Sequence, residues 1–345
     1  MVNMKILVLG TGSIGKRHIA NLLSAGVQVL SYSYRPTADT NPLDARVTRL
    51  TDLSAALASD VDGVVVANRT DQHMAVALQA AHAKKHLFLE KPLAVSLSGA
   101  DELSQLVAQH RLVVEAGFMW RFHPNLLWIQ QFLNSGDLGD IMYMRAALGQ
   151  WLPDWRPGTD HRQGYGAFKA TGGGVVFDLV HEIDLVRWLL GPVEDVTAMT
   201  QVVPSLEIET EGIAQIGLRL ASGALAQVHL DYVRPGYGHE LEIVGRHGVL
   251  RWNFMQGLVE LQKASGPVDI VHRVPANFER NSMFQQHMAH FLNRIRQPDI
   301  AAASPLADAL AVLKVALAAH ESAATRCCVR PQALGPSFDL KKNSL

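Results

Sequence analysis

A glycine-rich turn close to the first residues restricts the possible folds more than any other feature of the chain. Gly10, Gly12 and Gly15 follow the apolar run KILVL and open a helical stretch that continues to Ser24. This spacing predicts a strand, a tight turn and a helix, in which Gly12 lets the backbone approach a pyrophosphate. The N–H groups and the dipole at the start of such a helix attract phosphate. The residues predicted to hold the phosphates of a dinucleotide are Gly10, Gly12, Ser13, Ile14 and Gly15.

The first 120 residues alternate short apolar runs with helical stretches. The runs after the glycine turn are VQVLSYS, DGVVVAN, HLFLE and LVVEAGF, and helices are predicted at Asp52–Ala58, His73–Ala83 and Ser98–His110. Strands of this continuous Val and Leu type, each followed by a helix, are typical of a parallel sheet covered on both faces. Residues 1–120 are therefore predicted to form an α/β Rossmann domain with a doubly wound parallel sheet.

The pattern changes in residues 121–345. Helices are predicted near Asn125–Asn134 and over Gly174–Leu190, and turn residues at Ser222–Gly223 and at 246–248 each join two apolar strands. Strands joined by two or three turn residues pair antiparallel. We therefore expect a second, α+β domain with a large open and mainly antiparallel sheet, which binds the substrate and mediates oligomerisation.

Two expectations concern the later part of the chain. The last helix is predicted to begin with Ser304 as its N-cap and Pro305 at the first helical position. Too few helices follow the antiparallel strands to cover both faces of a sheet, which predicts a homodimer or homotetramer. A monomer in sedimentation at micromolar concentration would contradict that expectation.

Composition excludes several classes of partner. The 31 Lys and Arg residues balance 32 Asp and Glu residues, so the charge pattern indicates neither nucleic acid nor a membrane surface as a partner. The two cysteines, Cys327 and Cys328, are adjacent, which argues against a disulfide framework and for a cytoplasmic, reducing compartment. The sequence contains no cysteine spacing typical of a metal site. The apolar stretch 301–319 contains Asp308 and Lys314 and is predicted to be a buried helix.

The end of the second predicted strand bears on which dinucleotide is bound. It reads Ser33-Tyr34-Arg35 and lacks the acidic residue that usually grips the ribose of NAD. Ser33 and Arg35 are suited to hold a 2′-phosphate, and Arg35 to stack on adenine. Tyr34, between them, is included among the predicted cofactor contacts. This favours NADP. NAD is left open, because the alternative interpretation of Arg35 is a solvated arginine in a loop.

Three further motifs carry a resemblance to a known family. Glu90-Lys91-Pro92 follows the strand HLFLE, GFMWRFHP begins at Gly117, and GGGVVFDLVHEIDLVRWLLG begins at Gly172. With the glycine turn, they make the chain similar over essentially its whole length to the Gfo/Idh/MocA family. The segment GSIGKRH is similar to the one found in a bacterial subgroup of this family that is linked with surface glycans. The resemblance implies an NAD(P)-dependent enzyme acting on CH–OH groups of a sugar, cyclitol, nucleotide-sugar or sialic-acid-like substrate.

The same resemblance implies the catalytic residues. Lys91 matches the family's lysine beside the nicotinamide, where an ammonium hydrogen-bonds the reacting oxygen. His181 matches the general acid/base, and Asp178 precedes it on the same predicted helix, so both side chains can project to one side. Because this spacing is shorter than the family's commoner one, Asp184 competes with Asp178 as the partner of His181.

Other residues complete the predicted site. Glu90 is expected to orient Lys91, and Trp120 to line the nicotinamide side. The long connection from Trp151 to Lys169 is rich in aromatic residues and cations, which suits substrate recognition and an anionic substrate. The further cofactor contacts are Asn68, Arg69, His73, Glu90, Lys91 and Arg121. The substrate contacts are Lys91, Trp120, Arg156, His161, Tyr165, Lys169, Asp178 and His181.

Two alternatives to net hydride transfer stay open. In the first, a tightly bound NAD is used transiently, so that elimination or ring opening proceeds without net redox change. In the second, the protein is a non-catalytic sensor of NAD(P) and a sugar. A pure sensor has no need of a proton-transfer set, so Lys91, Asp178 and His181 argue against it.

Overall fold

The computed structural model describes residues 4–33, 43–156, 158–335 and 338. The chain divides into two compact units. The first contains the residues up to Met119 and Glu279–Leu310, and the second contains Trp120–Phe278 and the residues from Ala311 onward. The sequence analysis placed all of residues 121–345 in one domain, whereas residues 279–310 group with the first unit.

Within the described residues, the strands and helices have the following bounds. In chain order, β1 to β14 are Lys5–Leu9, Gln28–Tyr32, Thr48–Leu50, Gly63–Val66, His86–Leu89, Val114–Ala116, Ile141–Gln150, Val193–Val202, Glu211–Leu220, Leu225–Asp231, Tyr237–Gly245, Gly248–Asn253, Leu258–Lys263 and Val268–Arg273. In chain order, α1 to α9 are Ser13–Ser24, Leu53–Ala58, Thr70–His82, Ala100–His110, Pro124–Ser135, Val175–Asp178, His181–Leu190, Arg280–Arg296 and Leu306–Thr325.

The first unit contains a six-stranded parallel sheet. Its strand order is β3-β2-β1-β4-β5-β6, and every neighbouring pair runs parallel. The order reverses between β1 and β4, and ligands of such sheets bind at the carboxyl ends of the strands beside that reversal. This confirms the predicted Rossmann fold and puts the glycine turn, which follows β1, at the reversal.

Residues 279–310 join the first unit through apolar packing and one buried carboxylate. Phe291 and Met288 of α8 pack in the same core as Val65 and Phe88. Glu115 of β6 is fully buried, and Arg294 Nη1 lies 2.9 Å from Glu115 Oε1. The sequence analysis did not assign residues 279–310 to the first unit, because apolar periodicity predicts a helix but not the sheet on which that helix packs.

Ser304 has a different role from the predicted N-cap. Its backbone N–H and its hydroxyl each lie 2.9 Å from Glu115 Oε2, and the hydroxyl lies 2.6 Å from the Ala116 carbonyl oxygen. The last helix begins at Leu306, after Pro305. Ser304 therefore attaches the segment before α9 to β6.

The second unit is built on an eight-stranded sheet. Its order is β14-β13-β12-β11-β7-β10-β9-β8, and all neighbouring pairs are antiparallel except β7 with β10. Both predicted hairpins, β9–β10 and β11–β12, are confirmed. The sequence analysis did not identify β7, β8, β13 and β14 individually.

The predicted helix over Gly174–Leu190 is two helices. The short α6 ends at Asp178, and α7 begins at His181. Leu179 lies between them with φ −103° and ψ 26°, which departs from helical geometry. Asp178 and His181 thus occupy the facing ends of two helices and not one continuous helical face.

In the described parts of the chain, no helix has the length and apolar character needed to span a membrane.

Candidate active site

The glycine turn leaves a space where a ligand can approach the backbone. Gly10 has φ +102°, and a Cβ there would lie 2.5 Å from the Ala67 carbonyl oxygen, while a Cβ at Gly15 would overlap the Gly10 carbonyl. A Cβ at Gly12 would meet no atom within 4 Å. The chain's own packing therefore requires Gly10 and Gly15, whereas Gly12 borders open space.

The start of α1 fits a phosphate group. The helix begins at Ser13, Gly12 is its N-cap residue, and no side chain caps it. Ser13 is exposed, and Ile14 packs against the core of the first unit. An uncapped helix start beside an open glycine is the arrangement that binds the pyrophosphate of a dinucleotide.

We expect Gly12→Ala to weaken dinucleotide binding by at least about tenfold, or about 1.4 kcal/mol, because its methyl group fills the open space. Gly15→Ala is the matched control, since it should lower the thermal midpoint of unfolding through its overlap with Gly10. Fluorescence titration with NADH and NADPH measures the first effect, and thermal unfolding measures the second. Unchanged binding by Gly12→Ala would contradict the placement of the pyrophosphate.

His73 joins two loops at the carboxyl ends of the strands. It is buried, with Nδ1 2.9 Å from the Pro92 carbonyl oxygen and Nε2 2.9 Å from the Asn68 carbonyl oxygen. Burial lowers the pKa of His73 despite these two contacts, which favours the neutral ring. The predicted cofactor residue His73 thus positions the loop after β4 and the Lys91-Pro92 segment relative to each other.

Asn68 and Arg69 lie in the loop between β4 and α3. The Asn68 side-chain amide donates to Gln72 Oε1 at 3.3 Å, and Arg69 forms an exposed ion pair with Asp71 at 2.8 Å. The loop therefore lies at the correct edge of the sheet for a cofactor contact, with the Arg69 guanidinium oriented by Asp71.

Glu90 connects α1 to the backbone of Lys91. The carboxylate is buried, with Oε1 2.7 Å from His18 Nε2 on α1, and Oε2 accepts the Lys91 backbone N–H at 3.2 Å. Burial alone would raise the pKa of Glu90, but His18 and Lys91 together lower it. A Cβ at Gly117 would lie 2.9 Å from Glu90 Oε2, so only glycine leaves room for this carboxylate.

His18 is a site residue that the sequence analysis did not select. Its place in the GSIGKRH segment was visible, but only the fold shows that it lies against Glu90. Lys91 itself is half-buried at the end of β5. The arrangement accords with the predicted role of Glu90 in orienting Lys91.

The residues at the end of β2 give less information. Ser33 follows Tyr32 directly, and Gly10 donates its backbone N–H to the Tyr32 carbonyl at 2.9 Å, so Ser33 is close in the fold to the glycine turn. Tyr34 and Arg35 lie outside the described residues. The preference for NADP that they indicate stays a prediction.

In the second unit, two tyrosines bind the Asp178 carboxylate. Tyr165 Oη donates to Oδ1 and Tyr232 Oη donates to Oδ2, both at 2.7 Å. Burial, followed by the charge of Asp178, raises the pKa of each phenol well above its usual value, so both stay protonated donors. Tyr232 was not predicted, because nothing in the run ALAQVHLDY marks it as different from a core tyrosine.

His181 is the first residue of α7 and is 5% exposed. Asp184, the competing partner for His181, forms a buried ion pair with Arg121, with an Nη2 to Oδ1 distance of 2.6 Å. Arg121, predicted to contact the cofactor, is therefore held by Asp184 within the second unit. Asp178 is the better candidate for the proton-transfer set because its carboxylate borders a cavity.

That cavity has a volume of about 320 Å³ and lies entirely within the second unit. Asp178, Tyr165, Arg156 and His161 line it, together with Trp155 and other residues of the long connection. The Arg156 guanidinium lies over the Tyr165 ring, 5.5 Å from its centroid. The volume is at the lower end of the range for small-molecule sites, roughly 300–1,000 Å³.

Two predicted substrate residues are placed elsewhere. Trp120 is 1% exposed and packs 4.4 Å from the His239 ring in an aromatic cluster with Trp252. Lys169 is exposed, and its backbone N–H donates to Glu209 Oε1 at 2.5 Å. Neither is among the residues that line the cavity, so the structure gives Trp120 a packing role.

The cations of the long connection are partly neutralised. Arg162 bonds to Asp160 through Nε at 2.9 Å and to Glu207 through Nη1 at 2.7 Å. The cavity is lined by the carboxylates of Asp178 and Asp160 as well as by Arg156. The expected attraction for an anionic substrate is therefore weaker than the sequence alone indicated. In the described residues, no group of three or more His, Cys, Asp or Glu side chains is arranged to hold a metal ion.

Two family profiles match the chain. The profile described as an oxidoreductase family with an NAD-binding Rossmann fold matches residues 4–118, and the GFO/IDH/MocA C-terminal domain profile matches residues 126–251. An inositol 2-dehydrogenase from Acidothermus cellulolyticus is 30% identical, with 72% of each chain covered. The uncharacterized oxidoreductase YrbE from Bacillus subtilis is 27% identical, with 70% of this chain and 71% of YrbE covered.

Solved structures agree with this match. GenD2 from gentamicin A biosynthesis, in complex with NAD, superposes with a TM-score of 0.81 at 26% identity, covering 96% of this chain and 97% of GenD2. Levoglucosan dehydrogenase in complex with NADH superposes with a TM-score of 0.84, covering 95% and 99% of the two chains. At 21% identity the second similarity shows the fold alone.

Proposed function

We propose, since this chain belongs to the Gfo/Idh/MocA family of NAD(P)-dependent oxidoreductases, that it transfers a hydride between NAD(P) and a secondary alcohol or ketone on a sugar or cyclitol ring. The observation that carries the proposal is the Asp178 carboxylate, which two phenols bind at the wall of a cavity. Asp178 comes three residues before His181, which matches the family's proton-transfer position.

In this reaction the side chains of the protein transfer one proton and stabilise one developing negative charge. The nicotinamide ring, when bound, accepts or donates the hydride. In the oxidation direction the His181 imidazole takes the hydroxyl proton, and in the reduction direction it returns that proton to the carbonyl oxygen. The Lys91 ammonium donates a hydrogen bond to the same oxygen and stabilises the negative charge that develops there.

Asp178 and Glu90 support these two groups. The Asp178 carboxylate stabilises the cationic form of His181 and accepts a hydrogen bond from a ring hydroxyl of the substrate. Glu90 accepts the Lys91 backbone N–H and so holds the lysine at the end of β5. Other side chains fix each carboxylate: His18 binds Glu90, and two tyrosines bind Asp178. These contacts keep the proton-transfer groups preorganised.

The cavity favours an uncharged ring among the substrate classes that the sequence left open. Asp178 suits a hydroxyl donor, and Arg162 is already bound by Asp160 and Glu207. Relatives at 30% identity are named inositol 2-dehydrogenase, which supports a polyol ring as the substrate. NAD and NADP both remain candidates, with NADP favoured by Ser33 and Arg35.

Turnover assays test the proposal directly. The purified protein, supplied with NAD or NADP and with myo-inositol or D-glucose, is expected to produce reduced nicotinamide in proportion to ketone product measured by mass spectrometry. Product without reduced nicotinamide, with the dinucleotide retained on the protein, would instead indicate the redox-neutral reaction. Binding of ring and dinucleotide without product would indicate the sensor.

The homo-oligomer stays a prediction, for which the second unit offers a surface. Residues of β7 alternate between buried and exposed, with Met144 and Ala146 inside and Tyr143 and Arg145 outside. The large apolar side chains exposed on the sheet include Met199 and Leu225. An uncovered face of this kind is suited to a second copy of the chain.

A further inference from the structure

We infer that Tyr232 and Tyr165 are positioning residues, which hold the Asp178 carboxylate in a single orientation for proton transfer at His181. The inference rests on the proposed function, because it assigns Asp178 to the proton-transfer set. It adds two phenols to that set, one of which, Tyr232, matches no motif in the sequence.

The geometry determines the rotation of the carboxylate. The last torsion of an aspartate side chain is broad and roughly two-fold, so an isolated carboxylate samples many orientations. Here each oxygen accepts a separate phenol at 2.7 Å, the short distance typical of bonds to an ionised group. Two donors on two oxygens remove that freedom and leave further lone pairs for a substrate hydroxyl.

The two donors are themselves fixed from different parts of the chain. Tyr232 is fully buried, its backbone N–H donates to Gly212, its carbonyl accepts from Leu152, and its ring packs edge-on against Trp155 at 5.2 Å. The Tyr165 carbonyl accepts the Thr171 hydroxyl at 2.6 Å. Both tyrosines are therefore anchored by their own neighbours, and they bind the two oxygens of Asp178 from different parts of the chain.

The local packing also leaves room for the carboxylate. A Cβ at Gly166, next to Tyr165, would lie 3.0 Å from Asp178 Oδ2, so a side chain there would press on the carboxylate. Tyr165 is among the described residues that line the cavity, whereas Tyr232 is not. An effect of Tyr232 on catalysis therefore passes through Asp178 and not through contact with substrate.

The first test is Tyr232→Phe, which removes one hydroxyl and keeps the ring. We expect kcat to fall about tenfold, equivalent to about 1.4 kcal/mol, with KM for the ring substrate changed less than about twofold. Tyr143→Phe is the matched control, because the Tyr143 hydroxyl lies 3.4 Å from Glu242 on the exposed sheet. Tyr165→Phe should change both kcat and KM, since Tyr165 also faces the cavity.

A double variant separates positioning from general stability. If Tyr232 acts through Asp178, adding Tyr232→Phe to Asp178→Asn lowers kcat no further. An equal fall in both backgrounds would overturn the positioning role, as would an unchanged kcat in the single variant.

A titration without substrate keeps this inference distinct from the proposed function. The chain has six tyrosines, and the ultraviolet absorbance of ionised phenol follows them as pH rises. In Asp178→Asn two ionisations should move to lower pH than in the wild type, because the carboxylate charge that opposes them is gone. If Asp178→Asn titrates like the wild type while the wild type turns over substrate, the contact of the two tyrosines with Asp178 is overturned and the proposed function stands. If the wild type shows no turnover, the proposed function is overturned.

Discussion

Replacing His181 by asparagine is expected to lower kcat by about 10²–10⁴-fold, the usual contribution of a positioned general acid/base. Asparagine cannot take up a proton at neutral pH, so the substrate hydroxyl loses its acceptor when the hydride leaves. Dinucleotide affinity should stay within about twofold, because the proposed phosphate contacts at the start of α1 do not include His181. Stopped-flow absorbance of the reduced nicotinamide measures both quantities.

The matched control for this variant is His82→Asn. His82 Nε2 lies 2.9 Å from Glu102 Oε1 at the surface, and the His82 side chain is 59% accessible, so its loss should leave kcat unchanged. Lys91→Met complements the test, because it removes the ammonium while the backbone N–H to Glu90 stays. Normal turnover by His181→Asn would refute the assigned proton acceptor, and normal turnover by Lys91→Met would refute the assigned oxyanion donor.

Replacing Glu115 by glutamine is expected to lower the free energy of unfolding by about 3–5 kcal/mol, the usual cost of breaking a buried ion pair. The fully buried carboxylate accepts from Arg294, from the Ser304 hydroxyl and from the Ser304 backbone N–H. Glutamine leaves the Arg294 charge without compensation and provides only one acceptor oxygen. Urea unfolding of Glu115→Gln and of the wild type measures the difference.

The exposed Glu102→Gln serves as the control, because a surface pair with His82 contributes at most about 1 kcal/mol.

Unfolding by acid provides a second check. Burial would raise the pKa of Glu115, but bonds from His287 and Ser304 outweigh it and lower the pKa from 4.5 to about 2. The stabilisation is therefore complete above about pH 4.5 and is lost as pH falls towards 2, and Glu115→Gln should lack this loss. Equal unfolding of the two proteins at neutral pH would contradict the stabilising role of Glu115.

The amino-acid sequence alone predicted the parallel sheet of the first unit, except for the short strand β3, and the glycine turn. Lys91 and His181 were implied by the resemblance to the family. The strand, turn and helix are predictable because apolar periodicity and glycine spacing are local patterns. The need for glycine at position 10 is long-range, since a Cβ there would meet the Ala67 carbonyl oxygen. The hairpins β9–β10 and β11–β12 were predictable from local patterns as well. The helix over Gly174–Leu190 was the exception, because no residue type marks the change of backbone at Leu179.

The tertiary structure decided which charged and polar groups become partners. Asp184 meets Arg121 across 63 residues, Asp178 meets Tyr232 across 54, and Glu115 meets Ser304 across 189. Spacing along the chain carries no information about such pairs, since they form only when separate elements pack and each buried polar group must find a partner. The sequence therefore indicated the kind of chemistry, and long-range packing specified the partners of the buried carboxylates.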